Sequence, residues 1–320
     1  MSMTSTAYMR SLDVREVVVT GIGLALPGVA TYGDLLEPLP GEGGFDLATG
    51  LSGRELRHKD RASRLALRAA EFALHDAGLT DADGDAAFMG VADSTAVVVS
   101  TNLGNVDSVC AATDTITREG VRALSPLGLP QTSSNVIAGW VAIRYRLRGP
   151  NLTVCNGVTS GLDALAWARN LIVAGRADAA VVVGVEPAND VTTKLLGEQS
   201  TDAAVAVVLE PADAAASRGA QPRTTIAGYA RDRDLAAALT CAGVTEEESV
   251  GLWLGAEAGQ LLAATRRIDL EAQLGPLSGA LGVLQCAAAA AHFEGGATGN
   301  VLAAAGGTRH DAAAALLLTP

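Results

Sequence analysis

A layered α/β fold is what this sequence predicts, and three observations carry the prediction. Short β-branched apolar runs recur along the chain, among them EVVVTGIGLALP (16–27), STAVVVST (94–101) and DAAVAVVLE (202–210). Such runs, bounded by Gly, Pro or polar residues, are buried strands. Longer stretches with one apolar stripe lie between them and read as helices that cover a sheet. The third observation is a weak internal echo. Ser160-Gly161 opens a long helix followed by two apolar strands, and Ser278-Gly279 does the same in the second half. Ser-Gly is a common dipeptide, so the echo leaves open whether the halves are a duplication or share an α/β pattern by coincidence.

Each element follows in turn. Residues 1–15 are polar and are expected to be loose. EVVVTGIGLALP is the first strand and turn. DRASRLALRAAEFALHDAGL (60–79) is an amphipathic helix, with Asp60 as N-cap, Leu65, Ala69, Phe72 and Ala73 on one stripe, and Gly78 as the stop. STAVVVST is a strand, and a helix is expected from about Asn105 to Arg118. SSNVIAGWVAIRYRLRGP (133–150) is a helix ended by Gly149-Pro150. NLTVCN is a short strand that includes Cys155, and SGLDALAWARNLIVAG (160–175) a long helix stopped by Gly175. ADAAVVVGVE (177–186) and DAAVAVVLE are strands. PADAAASRGAQPR (211–223) reads as a hinge-like connection between an N-terminal half, 16–212, and a C-terminal half, 223–320, within one compact unit. In the second half TTIAGYA, SVGLWLGA, NVLAAAGG and DAAAALLLTP are strands. RDLAAALTCAGV, EAGQLLAATRRI and SGALGVLQCAAAAAHF are helices.

Composition narrows the function classes. Apolar residues make up 49% of the 320, but aromatics only 3%, so the core is built from Ala, Val and Leu. Charged residues are 18%, below the usual ~25%. That fits a large buried surface, a subunit interface included; it fits an Ala-rich, Arg-over-Lys genome bias equally well. The net charge of −12 argues against nucleic acid and against anionic membrane surfaces as partners. Cys110, Cys155, Cys241 and Cys286 form no CxxC pair, and the four histidines do not cluster with them. No zinc pattern or disulfide framework follows, and a reduced, cytoplasmic setting is the default. Neither a secretory leader nor a membrane span is expected.

Several stretches together resemble the β-ketoacyl synthases of the thiolase fold. The resemblance runs from about Val17 to Pro320. VVVTGIGLALPG is similar to that family's first strand and ELRHKDRASRLALRAAEFALHDAGL to its first long helix. SSNVIAGWVAIRYRLRGPNLTV is the most specific match. TSGLDALAWARNLIVAGRADAAVVVGVE is similar to the helix and strand after the active-site Cys, and AAAGGT to the glycine-rich closing loop. The resemblance implies a thiolase-like fold of two similar βαβ halves in five layers, α/β/α/β/α.

The departures fall on the chemistry. Aligning TSGLDAL puts Val158 at the tip of the turn where the family carries its Cys. GLWLGAE puts Leu254 at the first His, PLSGALG puts Ala280 at the second, and the family's Lys falls on Gly275. Condensation needs a thiolate to hold the acyl chain and imidazoles to promote decarboxylation and stabilise the enolate. Val, Leu and Ala supply neither, and losing a single member of a catalytic unit costs on the order of 10⁶ in rate. The family's Pro-Phe-Asp and Gly-Glu-Gly segment is also missing, because ANDVTTKLLGEQSTD leads almost directly into AAVAVVLE. Its loss fits a subunit with no active site to gate.

The subgroup this implies is the chain length factor, or ketosynthase β, of type II polyketide synthases. Such a subunit pairs with an active ketosynthase, needs no cofactor or metal, and leaves acyl carrier protein docking mainly to its partner. Many carry Gln where this chain has Val158, so a Gln-dependent decarboxylase role does not carry over. The helix after VVVST is implied to line the far end of an acyl tunnel, with Val106, Val109 and Thr113 as gate positions and Cys110 facing tunnel or core. Small residues there imply room for a long or straight chain such as a reduced polyene.

Plainer readings stand beside these. A helical stripe such as Val106, Val109 and Thr113 is more often core. Cys155 is more often a small buried hydrophobe than a relocated nucleophile. His292 fits a helix C-terminus, and His310 a turn. Two other functions compete: a divergent acyltransferase using Cys155 or a nearby serine, and a homodimeric binding pseudoenzyme without a ketosynthase partner.

Overall fold

The computed structural model describes residues 15–38, 44–80, 87–244, 250–256, 264–308 and 310–320. The expected loose N-terminus, apart from Arg15, lies outside them. The first half runs β1 (Val17–Ala25), α1 (Leu47–Gly50), α2 (Arg61–Asp76), β2 (Thr95–Ser100), α3 (Val106–Glu119), α4 (Val136–Tyr145), β3 (Asn151–Val154), α5 (Ser160–Val173), β4 (Ala179–Glu186), α6 (Asp190–Leu196), β5 (Ala203–Pro211) and α7 (Ala212–Ser217). The second runs β6 (Thr224–Asp232), α8 (Leu235–Cys241), β7 (Val250–Leu254), β8 (Ala264–Ile268), α9 (Leu270–Leu274), α10 (Leu281–Glu294), β9 (Asn300–Gly306) and β10 (Ala313–Thr319).

The strands form one ten-stranded sheet in the order β3-β2-β4-β5-β1-β6-β10-β9-β7-β8. Numbered within each set of five, that order is 3-2-4-5-1 followed by its mirror, 1-5-4-2-3. The pairing repeats as well. β2 is parallel to β3 and β4, as β7 is to β8 and β9. β5 is antiparallel to β4 and β1, as β10 is to β9 and β6. Two residue pairs, Val18↔Thr225 and Val19↔Thr224, join the two sets through β1 and β6.

Alternate residues of each strand enter different layers, as a period of two requires. Val97, Val99, Val181 and Val183 pack with α2 and α4 on one face. Val98, Val182, Leu252 and Leu316 face a central layer made of α5 and α10. Trp253, Leu302 and Leu317 pack on α8 at the far side. Helix, sheet, helix pair, sheet and helix give five layers. The central pair crosses at glycines: a Cβ on Gly161 would stand 2.5 Å from Gly282 N. By helix start, Gly161 corresponds to Gly282, three residues on from the Ser278-Gly279 echo, which forms the 3-10 turn ahead of α10.

Four readings need correction. The predicted helix EAGQLLAATRRI ends in a strand, β8, and its residues 257–263 lie outside the described residues. Pairing beside β7 overrides the helical spacing there, and Arg266 and Arg267 suit an edge. The hinge-like PADAAASRGAQPR contains α7, because its Ala run after Asp213 is a good helix former. α4 stops at Tyr145, four residues before Gly149, because Arg146 adopts the left-handed conformation (φ 56°) and its N–H bonds back to Ala142 and Ile143. Nothing in a plain Arg signals that stop. Cys155 lies one residue past β3 and is exposed rather than buried in a strand.

Candidate functional site

Three loops meet where the strands of the first half end: the segment after β2, the turn between β3 and α5, and the turn between α9 and α10. Gly157, at φ +74°, bends the chain sharply after β3, and Gly157–Thr159 forms a 3-10 turn running straight into α5. Val158 is the half-buried centre of that turn. Ala280 ends the equivalent turn Ser278–Ala280 ahead of α10 and is fully buried. Leu254 is the last residue of β7 and is fully buried. Its carbonyl accepts from Gln285 Nε2 of α10 at 3.0 Å. Gly275 caps α9 at φ 82°. At each of these positions the side chain is aliphatic or absent, so it neither donates a proton nor attacks a carbonyl.

Polar residues the sequence gave little reason to single out hold these turns. Glu186, at the end of β4, is 1% exposed. Its carboxylate accepts from Thr101 Oγ1 (3.2 Å), Asn102 N (3.1 Å), Leu103 N (2.7 Å) and Gly279 N (3.0 Å). Asn102 donates through Nδ2 to Gly157 O and Ser278 Oγ, both at 2.9 Å. Its Oδ1 accepts from Gly157 N (3.1 Å) and Ser160 Oγ (2.9 Å). Asp163, buried in the first turns of α5, accepts from Asn156 Nδ2 (2.8 Å), Thr159 Oγ1 (2.9 Å) and Tyr229 OH. Burial and that bond to Asp163 raise the Tyr229 hydroxyl far above its ordinary value. A Glu closing a run of buried Val, as in VVVGVE, was a visible signal for Glu186; Asn102 had none.

Cys155 Sγ points at Asn102 O, 3.7 Å away. Partial burial, and then the negative charge of Glu186, push its thiol above the ordinary cysteine value. Cys286 is fully buried in α10 and pushed up to about 12 by desolvation. Neither environment favours a thiolate.

The four residues expected at the tunnel lie elsewhere than in the core. α3 buries none of its residues completely; Val106 is half-buried, and Val109, Cys110 and Thr113 are exposed. Val109 and Ile116 on α3, and Val121, Leu127 and Leu129 in the segment after it, are all exposed. The plain-core reading of this stripe therefore does not hold, and Cys110 faces outward.

The sequence model for the β-ketoacyl synthase N-terminal domain matches residues 38–204, just over half of the 320. The chain belongs to the β-ketoacyl synthase family. It is 29% identical over 201 residues to the 3-oxoacyl-[acyl-carrier-protein] synthase 2 of Vibrio harveyi, covering 56% of this chain and 47% of that protein. It is 32% identical over 203 residues to the tetracenomycin polyketide synthase ketoacyl synthase alpha subunit of Streptomyces glaucescens, covering 52% and 45%. The chain spans about half the length of the curated relatives it matches. Among solved structures, it superposes on the ishigamide ketosynthase/chain length factor with a TM-score of 0.72 and 22% identity, over 95% of this chain and 99% of that one. A type II polyketide ketosynthase solved with its acyl-carrier protein gives 0.77 and 18%, again over 95% and 99%. These two likenesses establish the thiolase-like ketosynthase fold. No helix among the described residues is long and apolar enough to cross a membrane.

Proposed function

We propose that this β-ketoacyl synthase family member is a non-catalytic subunit of the chain length factor kind. On this reading it pairs with an active β-ketoacyl-carrier-protein synthase and shapes the tunnel that sets polyketide chain length. One observation carries the proposal: Val158 stands on the strand–turn–helix junction, with Leu254 and Ala280 fully buried at the positions matched to the family's histidines. A chain with these three residues has no nucleophile to load and no imidazole to stabilise an enolate.

Two surface features support pairing. Among the described residues β3 ends the sheet and pairs with β2 alone, leaving its other edge without a partner strand there. Apolar residues of α3 and of the segment after it, Val109, Ile116, Val121, Leu127 and Leu129, are left in water by a single copy. In the pair, the growing chain is held on the partner's Cys and extends toward Val106, Val109 and Thr113. The acyl carrier protein docks mainly on the partner, since a net charge of −12 repels an acidic carrier. The Cys155 acyltransferase reading is the weaker one, because partial desolvation and then the charge of Glu186 raise that thiol above its ordinary value rather than lowering it.

The test is a reconstituted pair carrying Val109→Phe. A bulkier side chain at an exposed α3 position is expected to shorten the products while the partner's acylation, followed by intact mass, stays unchanged. Unchanged product lengths would remove α3 from the tunnel. An acyl adduct on this chain itself would overturn the non-catalytic assignment.

A further inference from the structure

Between α1 and α2 the chain gathers positive charge that the fold itself does not use. An open cavity of ≈ 660 Å³ lies there, lined by Ser52, Gly53, Leu56 and three arginines, Arg54, Arg57 and Arg64. None of its lining residues among the described residues is acidic, in a chain with 35 acidic residues against 23 Lys and Arg. Local structure brings the arginines together. Arg54–Leu56 is a 3-10 turn with Arg57 as its C-cap. Residues three apart eclipse in that geometry, so Arg54 and Arg57 stand on one side. Arg68 of α2 fixes the approach by donating to Gly50 O (2.7 Å) and Ser52 O (2.9 Å). It also engages Glu55 (3.2 Å), the carboxylate that lies beside Gly53.

Arg64 enters from the first turn of α2, where a cation opposes the positive end of the helix dipole. Arg61, one turn earlier, offsets that cost with a two-pronged bond to Asp202 (2.7 and 2.5 Å). Arg64 has no such partner, and its Nε is buried without a hydrogen bond. A buried donor left unpaired is costly unless something from outside the chain meets it. The side chains of Arg54 and Arg57 likewise have no partner among the described residues.

We propose that Arg54, Arg57 and Arg64 form a binding site for the diphosphate group of a small molecule. The planar guanidinium fork meets phosphate oxygens in pairs. One phosphate monoester carries about −1.5 to −2 at pH 7, less than three guanidiniums neutralise, so two linked phosphates match the site better. The volume falls in the range of small-molecule sites, about 300–1,000 Å³. Buried Leu51 and Leu56 supply apolar lining for the rest of the ligand. The site shares no residue with the turns around Val158 and Ala280, so it stands or falls independently of the non-catalytic reading.

The test titrates sodium pyrophosphate into the full-length chain, alone or in its pair, by calorimetry at low salt. Saturable 1:1 binding is expected. Arg64→Gln and Arg57→Gln should each weaken it roughly tenfold, the scale of one charged hydrogen bond. Arg118→Gln removes the same charge from α3, where Arg118 meets Asp114 at 3.6 Å, and should leave binding unchanged. Arg57 is exposed, so Arg57→Gln keeps the test standing should Arg64→Gln fail to fold. Absence of saturable binding, or an equal loss in Arg118→Gln, would overturn the proposal. Binding of hexaglutamate in preference to pyrophosphate would overturn it too, by assigning the arginines to the carboxylates of a protein partner.

Discussion

Replacing Gly161 by Ala tests the central helix layer. α5 and α10 approach so closely that a Cβ on Gly161 would stand 2.5 Å from Gly282 N and 2.7 Å from Gly282 Cα. Both are backbone atoms, so no side chain can swing aside. Ordinary contact requires the helices to part by about 1 Å. Their neighbours Leu162, Leu165, Val283 and Leu284 are all fully buried, so the separation propagates into packed core. Overpacking of this kind costs about 1–3 kcal/mol, while exchanging Gly for Ala inside a helix returns about 0.5–1 kcal/mol. The expected net loss is about 1–2 kcal/mol. Gly139 in α4 is the matched control: a Cβ there meets nothing within 4 Å, so Gly139→Ala is expected to stabilise by about 0.5–1 kcal/mol. Urea unfolding followed by tryptophan fluorescence measures both, with unchanged slopes marking a native-state effect. The same substitution should thus have opposite signs at the two sites. Stabilisation by Gly161→Ala matching that at Gly139 would refute the α5–α10 contact.

Asp60 caps α2 through Ser63 N (2.8 Å), and burial raises its carboxyl above the ordinary value. A raised carboxyl favours the protonated form in the folded state, so this group weakens stability as pH rises from near 4 through its folded value. Asp60→Asn, which keeps the cap, should match or exceed the native stability at pH 7, while Asp60→Ala should lose about 1 kcal/mol; urea midpoints at pH 4 and 7 read both. Glu186→Gln removes a negative charge that helps raise the Cys155 thiol, so the pH profile of Cys155 alkylation should move to lower pH. The same change weakens charged hydrogen bonds to two loop segments, the one after β2 and the turn ahead of α10, and should cost about 1.5–3 kcal/mol in unfolding experiments.

Most of the layer structure was legible because burial on both faces leaves unbroken Val and Ala runs. β2, β4 and β5 are read this way, and α2 by its stripe, its Asp60 cap and Gly78. What escaped depends on tertiary context. ATRRI becomes a strand because β7 offers an edge, and α4 ends at an Arg that local sequence does not mark as a stop. The aliphatic residues at 158, 254 and 280 were found by comparison with a pattern, since an absent nucleophile leaves no signature in spacing. Asn102 and Asp163 were not found. Each is an ordinary polar residue, and its partners lie up to 176 residues away in sequence.

Co-expression with an active ketosynthase of the same organism, chosen by gene adjacency, followed by size-exclusion chromatography with mass determination, tests the central claim most directly. The account predicts a 1:1 complex. A stable homodimer that ignores the ketosynthase would contradict it.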